Sequence, residues 1–310
     1  MNEILIKKEF RKAMIISASR RTDIPAFYSG WFMNRLSEGW FKSVNPFNPS
    51  QARIVSLLPQ DADAIVFWSK NPEPMLKHLE RLDGMGFRYY FQYTLNDYPG
   101  FLEPGVPPLG GRLDTFQRLA SRLGPKRTVW RYDPIIAGST TPIEYHLERF
   151  AAISQRLSGY CERVVISFVD FYGKLSKRFD MLEKANGFRA YDITLPEYGE
   201  SLDLLVSGIS GLASANGMKV YSCSESLDLE KWGVMHGSCI DPFLINEIFH
   251  LDLRPNKDKN QRKGCLCAAS VDMGAYNSCA HACAYCYANL SEALASKNRQ
   301  RHDPGSASFL

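Results

Sequence analysis

The sequence lacks any long apolar run: within its 310 residues no stretch reaches the ~18–20 uninterrupted apolar positions of a membrane span. It also lacks the marks of a secretory leader. The opening MNEILIKKEFRKAMIISAS carries Glu3, Lys7, Lys8, Glu9, Arg11 and Lys12, with no apolar core ending at a small-residue cleavage site. No Gly-x-Gly-x-x-Gly follows a strand-like segment and no Walker loop occurs, so nucleotide folds of those kinds have no motif here. Internal repeats and low-complexity tracts are missing. A net charge of +4 is too small to argue for nucleic acid on its own. These absences point to a cytoplasmic, soluble protein with no membrane association. With 45% hydrophobic and 23% charged residues, it is sized for one large domain, or a domain plus an extension.

From residue 14 to about 225, short strand-like and amphipathic helical segments alternate. The expected strands are Ile15–Ala18, Arg53–Leu57, Ala64–Trp68, Tyr89–Thr94, Thr128–Tyr132, Val164–Phe168 and Lys219–Ser222, rich in Val, Ile, Tyr and Phe. Apolar stripes at Met75, Leu76, Leu79, Leu82 and at Leu113, Phe116, Leu119, Leu123 predict helices. Thr141-Pro142-Ile143-Glu144 reads as a capping box opening a helix through Leu157. Thr194-Leu195-Pro196-Glu197 repeats the signal for a helix ending at Asn216-Gly217. Alternation of this kind predicts an α/β fold with a parallel sheet: a complete or partial (β/α) TIM-type barrel over residues 1–225, with an open doubly wound sheet as the alternative. Beyond residue 226 the chain turns polar, apart from a helical stretch at 243–249. Residues 226–310 read as a cysteine-rich extension that packs back on the barrel.

Eight cysteines are present, five of them between 265 and 286. In a reducing compartment clustered thiols indicate metal or redox chemistry more than disulfides. Cys279-Ala-His-Ala-Cys283-Ala-Tyr-Cys286 has C-x3-C-x2-C spacing. Three thiolates this close can each bind one iron of a cubane cluster and leave the fourth open for a ligand. A fully ligated cluster and a zinc site completed by His281 are the alternatives. Zinc ligation would be strained, because His281 lies between two of the cysteines. Cys223, Cys239, Cys265 and Cys267 form a second set able to close a zinc site or another cluster, against the plainer reading of buried free thiols. Cys161 stands alone before a strand and reads as core.

The Cys279, Cys283, Tyr285, Cys286 arrangement resembles the radical S-adenosylmethionine superfamily, whose signature is C-x3-C-x-aromatic-C. The resemblance implies a [4Fe-4S] cluster on the three cysteines and S-adenosylmethionine on the open iron. Tyr285 would lie against adenine, and a 5′-deoxyadenosyl radical would abstract hydrogen from an unidentified substrate. It further implies an electron donor such as flavodoxin or ferredoxin. Tyr285-Cys286-Tyr287-Ala288 and Phe67-Trp68-Ser69-Lys70-Asn71-Pro72 are similar to spore photoproduct lyase and its relatives, which makes nucleic acid one conceivable substrate. SRRTDIP (19–25), WRYDP (130–134), KDKNQR (257–262) and NSCAHACAYCYAN (277–289) make nearly the whole chain resemble the uncharacterised family of domain of unknown function 1848. The superfamily's motif normally follows the first barrel strand, whereas here it lies about 25 residues from the end.

Strand ends at a barrel mouth are where site residues gather. By position these are Arg20, Arg21 and Asp23; Trp68 and Lys70; Arg131 and Asp133; and Glu225. Arginines suit the carboxylate of S-adenosylmethionine, and acids its hydroxyl and amino groups. Arg20, Arg21, Asp23, Trp68, Lys70 and Tyr285 are taken as cofactor contacts, and Arg131, Asp133 and Glu225 as catalytic candidates. Gln92 and Asn96 are weaker candidates. Asp133-Pro134 can also be read as a strand terminator, and 257–263 as a solvated face. Besides an enzyme, the chain is compatible with an iron–sulfur electron-transfer or sensing protein, or with a zinc-stabilised nucleic-acid-binding module.

Overall fold

A computed structural model describes residues 13–310 apart from Ser226 and Lys263. Of the opening segment read above for a secretory leader, residues 1–12 lie outside the described residues. The strands are β1 (Ile15–Ala18), β2 (Trp40–Asn45), β3 (Asn48–Ser56), β4 (Ala64–Ser69), β5 (Tyr89–Thr94), β6 (Thr128–Ile135), β7 (Arg163–Phe168), β8 (Lys219–Cys223), β9 (Met235–Gly237) and β10 (Val271–Asp272). The helices are α1 (Ile24–Phe27), α2 (Ser29–Glu38), α3 (Glu73–Leu76), α4 (Leu79–Gly84), α5 (Leu109–Leu123), α6 (Ile143–Leu157), α7 (Gly173–Asn186), α8 (Gly199–Ala215), α9 (Pro242–Phe249) and α10 (Glu292–Arg301). Eight strands form one parallel sheet in the order β10-β1-β4-β5-β6-β7-β8-β9, and β2 and β3 form a separate antiparallel hairpin.

From β1 to β9 the spatial order follows the chain without reversal. Right-handed crossovers all stepping one way place their helices on one face. Alternate strand residues accordingly separate into two cores. Ile65, Phe67, Tyr89, Phe91, Trp130, Tyr132, Val164 and Ile166 pack against α2, α4, α5, α6 and α8. Ile15, Ala64, Val66, Tyr90, Val129 and Val165 face the other way, onto Cys239–Ile240, α9 and the Cys265–Ala268 segment. The bulky side of the sheet meets helices, and the mostly small side leaves room for the cysteine-bearing segment. Burial on both faces is why the strands read as nearly continuous apolar runs.

Several expectations change. The sheet does not close into a barrel, since β9 and β10 remain its two edges. It is not doubly wound either, because the strand order never reverses. The expected strand Arg53–Leu57 belongs to the hairpin rather than to the main sheet. Neither capping box forms. Thr141 Oγ1 instead donates to the Ile136 carbonyl at 2.7 Å, and Thr194 Oγ1 to Asp192 Oδ1 at 2.6 Å. β6 runs on through Pro134 to Ile135 with a register shift, so that proline does not end the strand. Cys161 is buried in the core as expected. Among the described residues no helix is long and apolar enough to cross a membrane.

Candidate functional site

In a parallel sheet all strands deliver their C-terminal ends to one edge. Here that edge bounds a cavity of about 390 Å³. Its size falls within the ~300–1,000 Å³ typical of small-ligand sites. Arg20, Arg21, Asp23, Trp68, Lys70, Arg131, Asp133, Glu225, Tyr285 and seven of the eight cysteines all line it. The structure therefore brings these candidates to one place, but not the weaker candidates Gln92 and Asn96, although Cys279–Cys286 lies more than 250 residues from β1 in the chain.

The 277–290 segment has little regular structure, so side chains must fix it. Asp23, at the N-cap of α1, accepts from Ala26 N (2.9 Å), Ser69 Oγ (2.8 Å) and Lys70 N (2.7 Å), and its Oδ2 lies 2.8 Å from His281 Nε2. The other imidazole nitrogen lies 3.1 Å from the Gly105 carbonyl. Both ring nitrogens of His281 thus face oxygen acceptors of the protein, so neither is turned toward a zinc ion in this arrangement. Gly105 N in turn donates to the His281 carbonyl at 3.0 Å. A Cβ on Gly105 would stand 2.6 Å from the Ala280 carbonyl oxygen, so only glycine permits this approach.

Tyr285 is held by a buried triangle. Lys70 Nζ reaches Glu103 Oε1 at 2.8 Å and the Tyr285 hydroxyl at 2.9 Å, and that hydroxyl also donates to Glu103. Burial works against the Glu103 carboxylate, but Lys70 and Arg112 more than offset it and hold its pKa below the usual range. From the opposite side, Arg178 on α7 donates to the carbonyls of Ala284 (3.2 Å), Cys286 (2.7 Å), Asn289 (2.7 Å) and Leu290 (3.0 Å). Beneath the loop Tyr285 packs with Leu102, Ile136, Val169, Leu175, Phe179 and Phe188. Burial pushes the Cys279 thiol up to about 12 and raises Cys283 well above its ordinary value, with Lys70 opposing the latter shift.

The second thiol set is equally well placed. Tyr90 Oη (2.7 Å) and Gln92 Nε2 (2.8 Å) both donate to the Cys239 carbonyl, and Arg131 Nη1 lies 2.8 Å from its sulfur. Arg131 also pairs with Asp133 and stacks over Trp68 at 5.3 Å. Asn96 holds the Asp133 backbone on both sides (3.1 Å each). Gln92 and Asn96 are thus supports beneath the site. Residues 257–262 prove to be more than a solvated face. Asp258 N donates to the Cys267 carbonyl at 2.9 Å, and Gln261 and Arg262 reach the cavity wall. The Cys223 and Cys239 sulfurs are 2.7 Å apart, and hydrogen bonds with Cys239 and then Cys265 pull the Cys267 pKa down. Glu225 accepts from Phe168 N at 2.9 Å, yet burial pushes its pKa up to about 7.

The residues suit a sulfur-ligated group in part. Thr22 Oγ1, Trp68 Nε1 and Ser224 Oγ are buried in the cavity wall without partners, as groups awaiting an acceptor would be. Among the described residues no three His, Cys, Asp or Glu side chains converge on one ion. A tetrahedral zinc site keeps thiolate sulfurs roughly 3.8 Å apart, so the Cys223–Cys239 contact is too close for zinc as it stands. A cubane imposes no single point of convergence, because each thiolate takes a different iron. The Cys279, Cys283, Cys286 donor set fits such a cluster in chemistry, while the second set would have to spread to admit any metal.

Fold and cavity together define an α/β protein whose cysteine-rich C-terminal segment is folded over the strand ends of a parallel sheet. Residues 15–288 match the model of a family described as domain of unknown function (DUF1848), and the chain belongs to that family. No curated protein and no solved structure matches it. Sequence reasoning missed Glu103, Gly105 and Arg178. Glu103 and Gly105 sit in the long β5–α5 connection, and Arg178 on a helix with no functional signature. Only the unusual length of that connection hinted at a role.

Proposed function

We propose that the protein is a radical S-adenosylmethionine enzyme of unassigned substrate, with a [4Fe-4S] cluster on Cys279, Cys283 and Cys286. The observation that carries this reading is the return of a C-terminal C-x3-C-x-Tyr-C loop to the cavity at the strand ends, where its three thiols and Tyr285 line one wall. The sheet is read as a partial barrel opened along the β9–β10 seam. When bound, the cluster and S-adenosylmethionine would supply a 5′-deoxyadenosyl radical for hydrogen abstraction.

The protein's own residues position and enclose. Lys70 and Glu103 fix the Tyr285 ring for stacking on a flat ligand. Asp23 and His281 tie the loop to the ends of β1 and β4. Arg20 and Arg21 offer guanidinium groups to a carboxylate. Arg131, paired with Asp133 and stacked on Trp68, lies beside the second thiol set. Glu225 can carry a proton near neutral pH and so donate a hydrogen bond or accept a proton. Cys223, Cys239, Cys265 and Cys267 are assigned to a second cluster or a zinc ion, admitted once the sulfurs part.

Anaerobic reconstitution tests the assignment. The protein should bind about four irons and four sulfides at the triad. Cys283→Ala should lose that complement, while Cys239→Ala should keep it and lose any further metal. Zinc without iron in protein purified anaerobically, or iron binding indifferent to Cys283→Ala, would contradict it.

A further inference from the structure

Reduction of a cluster in this cavity requires an electron from outside, and the molecular surface differs in character where the cysteine loop meets α7. Lys174, Lys177, Arg178 and Met181 follow helical spacing i, i+3, i+4, i+7 and so share one face of that helix. Lys174 Nζ donates to the Tyr287 carbonyl at 3.2 Å, and Arg178 donates to the Cys286 carbonyl at 2.7 Å. The face therefore abuts the Cys286 end of the motif. Among the described residues none of these three cations makes an ion pair. The nearby carboxylate of Asp170 is already paired with Arg262 at 2.5 Å. Beside the cations stand large apolar side chains in water: Tyr287 at 57%, Leu290 at 65% and Met181 at 62% exposure.

Unpaired cations around exposed aromatic and aliphatic groups make a surface complementary to an acidic protein with an apolar centre. We infer that this α7 face and the adjoining Tyr287–Leu290 surface form the docking site for an acidic one-electron carrier protein. The inference rests on the cluster reading above and names the partner of that site. One electron passes from the reduced carrier to the oxidised cluster, and no bond is made or broken. Arg178 serves both sides, holding the loop by its carbonyls while contributing positive charge to the surface. Long-range attraction would accelerate encounter, and salt would remove that advantage.

The test compares two reductants on the anaerobically reconstituted protein: a photoreduced flavodoxin, and dithionite as a small reagent that needs no docking surface. Lys177→Glu, at a side chain with no hydrogen bond to the cysteine loop, and the Lys177→Glu/Lys174→Gln double variant are set against Lys219→Glu, at the N-terminal end of β8 and so at the far end of the strands from the cavity. At low ionic strength the expected result is a fall of about tenfold or more in the flavodoxin rate for the α7 variants. Their dithionite rates and the Lys219→Glu flavodoxin rate should stay at the wild-type level, and 0.5 M salt, at roughly a 4 Å screening length, should shrink the difference. Equal flavodoxin rates in wild type and α7 variants, or an equal loss in Lys219→Glu, would overturn the docking site while dithionite still reduces the cluster. Failure to assemble iron at all would overturn the cluster reading and the partner with it.

Discussion

Lys70 and Glu103 form an almost water-free ion pair, with side-chain exposures of 15% and 2%. Removing one partner of such a pair strands a buried charge at a cost of about 3–5 kcal/mol. Glu103→Gln should lower the denaturation midpoint accordingly and release Tyr285; a change below about 1 kcal/mol would show that the triangle is not what orders the loop. Arg178 carries a different load, with four carbonyls on one guanidinium and no carboxylate. Each hydrogen bond to a charged group contributes about 1.5–3 kcal/mol, so Arg178→Gln should speed amide exchange across residues 284–290 by at least about tenfold, leaving α5 protected. Uniform exchange across both regions would contradict that role. The cysteines, Asp23 and Lys70 were legible from residue type and spacing, because thiol clusters and polar residues at strand ends carry few other readings. Glu103 and Arg178 were not, since a lone acid in a loop and a lone arginine on an amphipathic helix look like ordinary surface residues.

At the level of elements, β6 and α6 are locked by His146. Its Nδ1 lies 2.9 Å from Tyr132 Oη, and its Nε2 lies 3.1 Å from the Ile136 carbonyl, where it is placed to donate. Burial pulls its pKa down to about 4 from 6.5. Between those values the unfolded chain binds a proton that the folded chain does not. Stability should therefore decline as pH falls from about 6.5 to 4, by about 3 kcal/mol from this group, and level off below. Denaturant unfolding at several pH values should show this slope in the wild type and a shallower one in His146→Gln; parallel slopes would contradict it. The strands β1, β4, β5, β6, β7 and β8 were readable because both faces are buried and their composition is β-branched and aromatic. The failed capping boxes show a limit of pattern reading. Thr141 and Thr194 have the right spacing, but nearer oxygen acceptors claim their hydroxyls. The two-residue β10 and three-residue β9 carry no periodicity at all, and tertiary pairing alone makes them strands.

For the molecule as a whole, strand order explains why a motif near the C-terminus can serve a site beside β1. β10 pairs with β1 (Ile16 opposite Val271), so the chain leaving β10 emerges next to Ser19–Asp23 and enters the cysteine loop there. The chain end completes this arrangement. Phe309 packs edge-on to Tyr28 at 4.8 Å and to Trp31 at 5.0 Å, and Trp31 Nε1 donates to the Ser306 carbonyl at 2.9 Å. Phe309→Ala should cost about 3–5 kcal/mol in chemical denaturation; a near-neutral effect would show the tail to be dispensable. An open sheet rather than a closed barrel was not legible, because closure depends on whether two short edge strands meet. The central claim is that the cavity generates a radical from S-adenosylmethionine. Its most direct measurement is 5′-deoxyadenosine formed by the reconstituted, reduced protein incubated anaerobically with S-adenosylmethionine. The account predicts 5′-deoxyadenosine and methionine in equal amounts from the wild type and none from Cys283→Ala. A fully reconstituted and reduced wild type that leaves S-adenosylmethionine intact, with candidate substrates present, would contradict it.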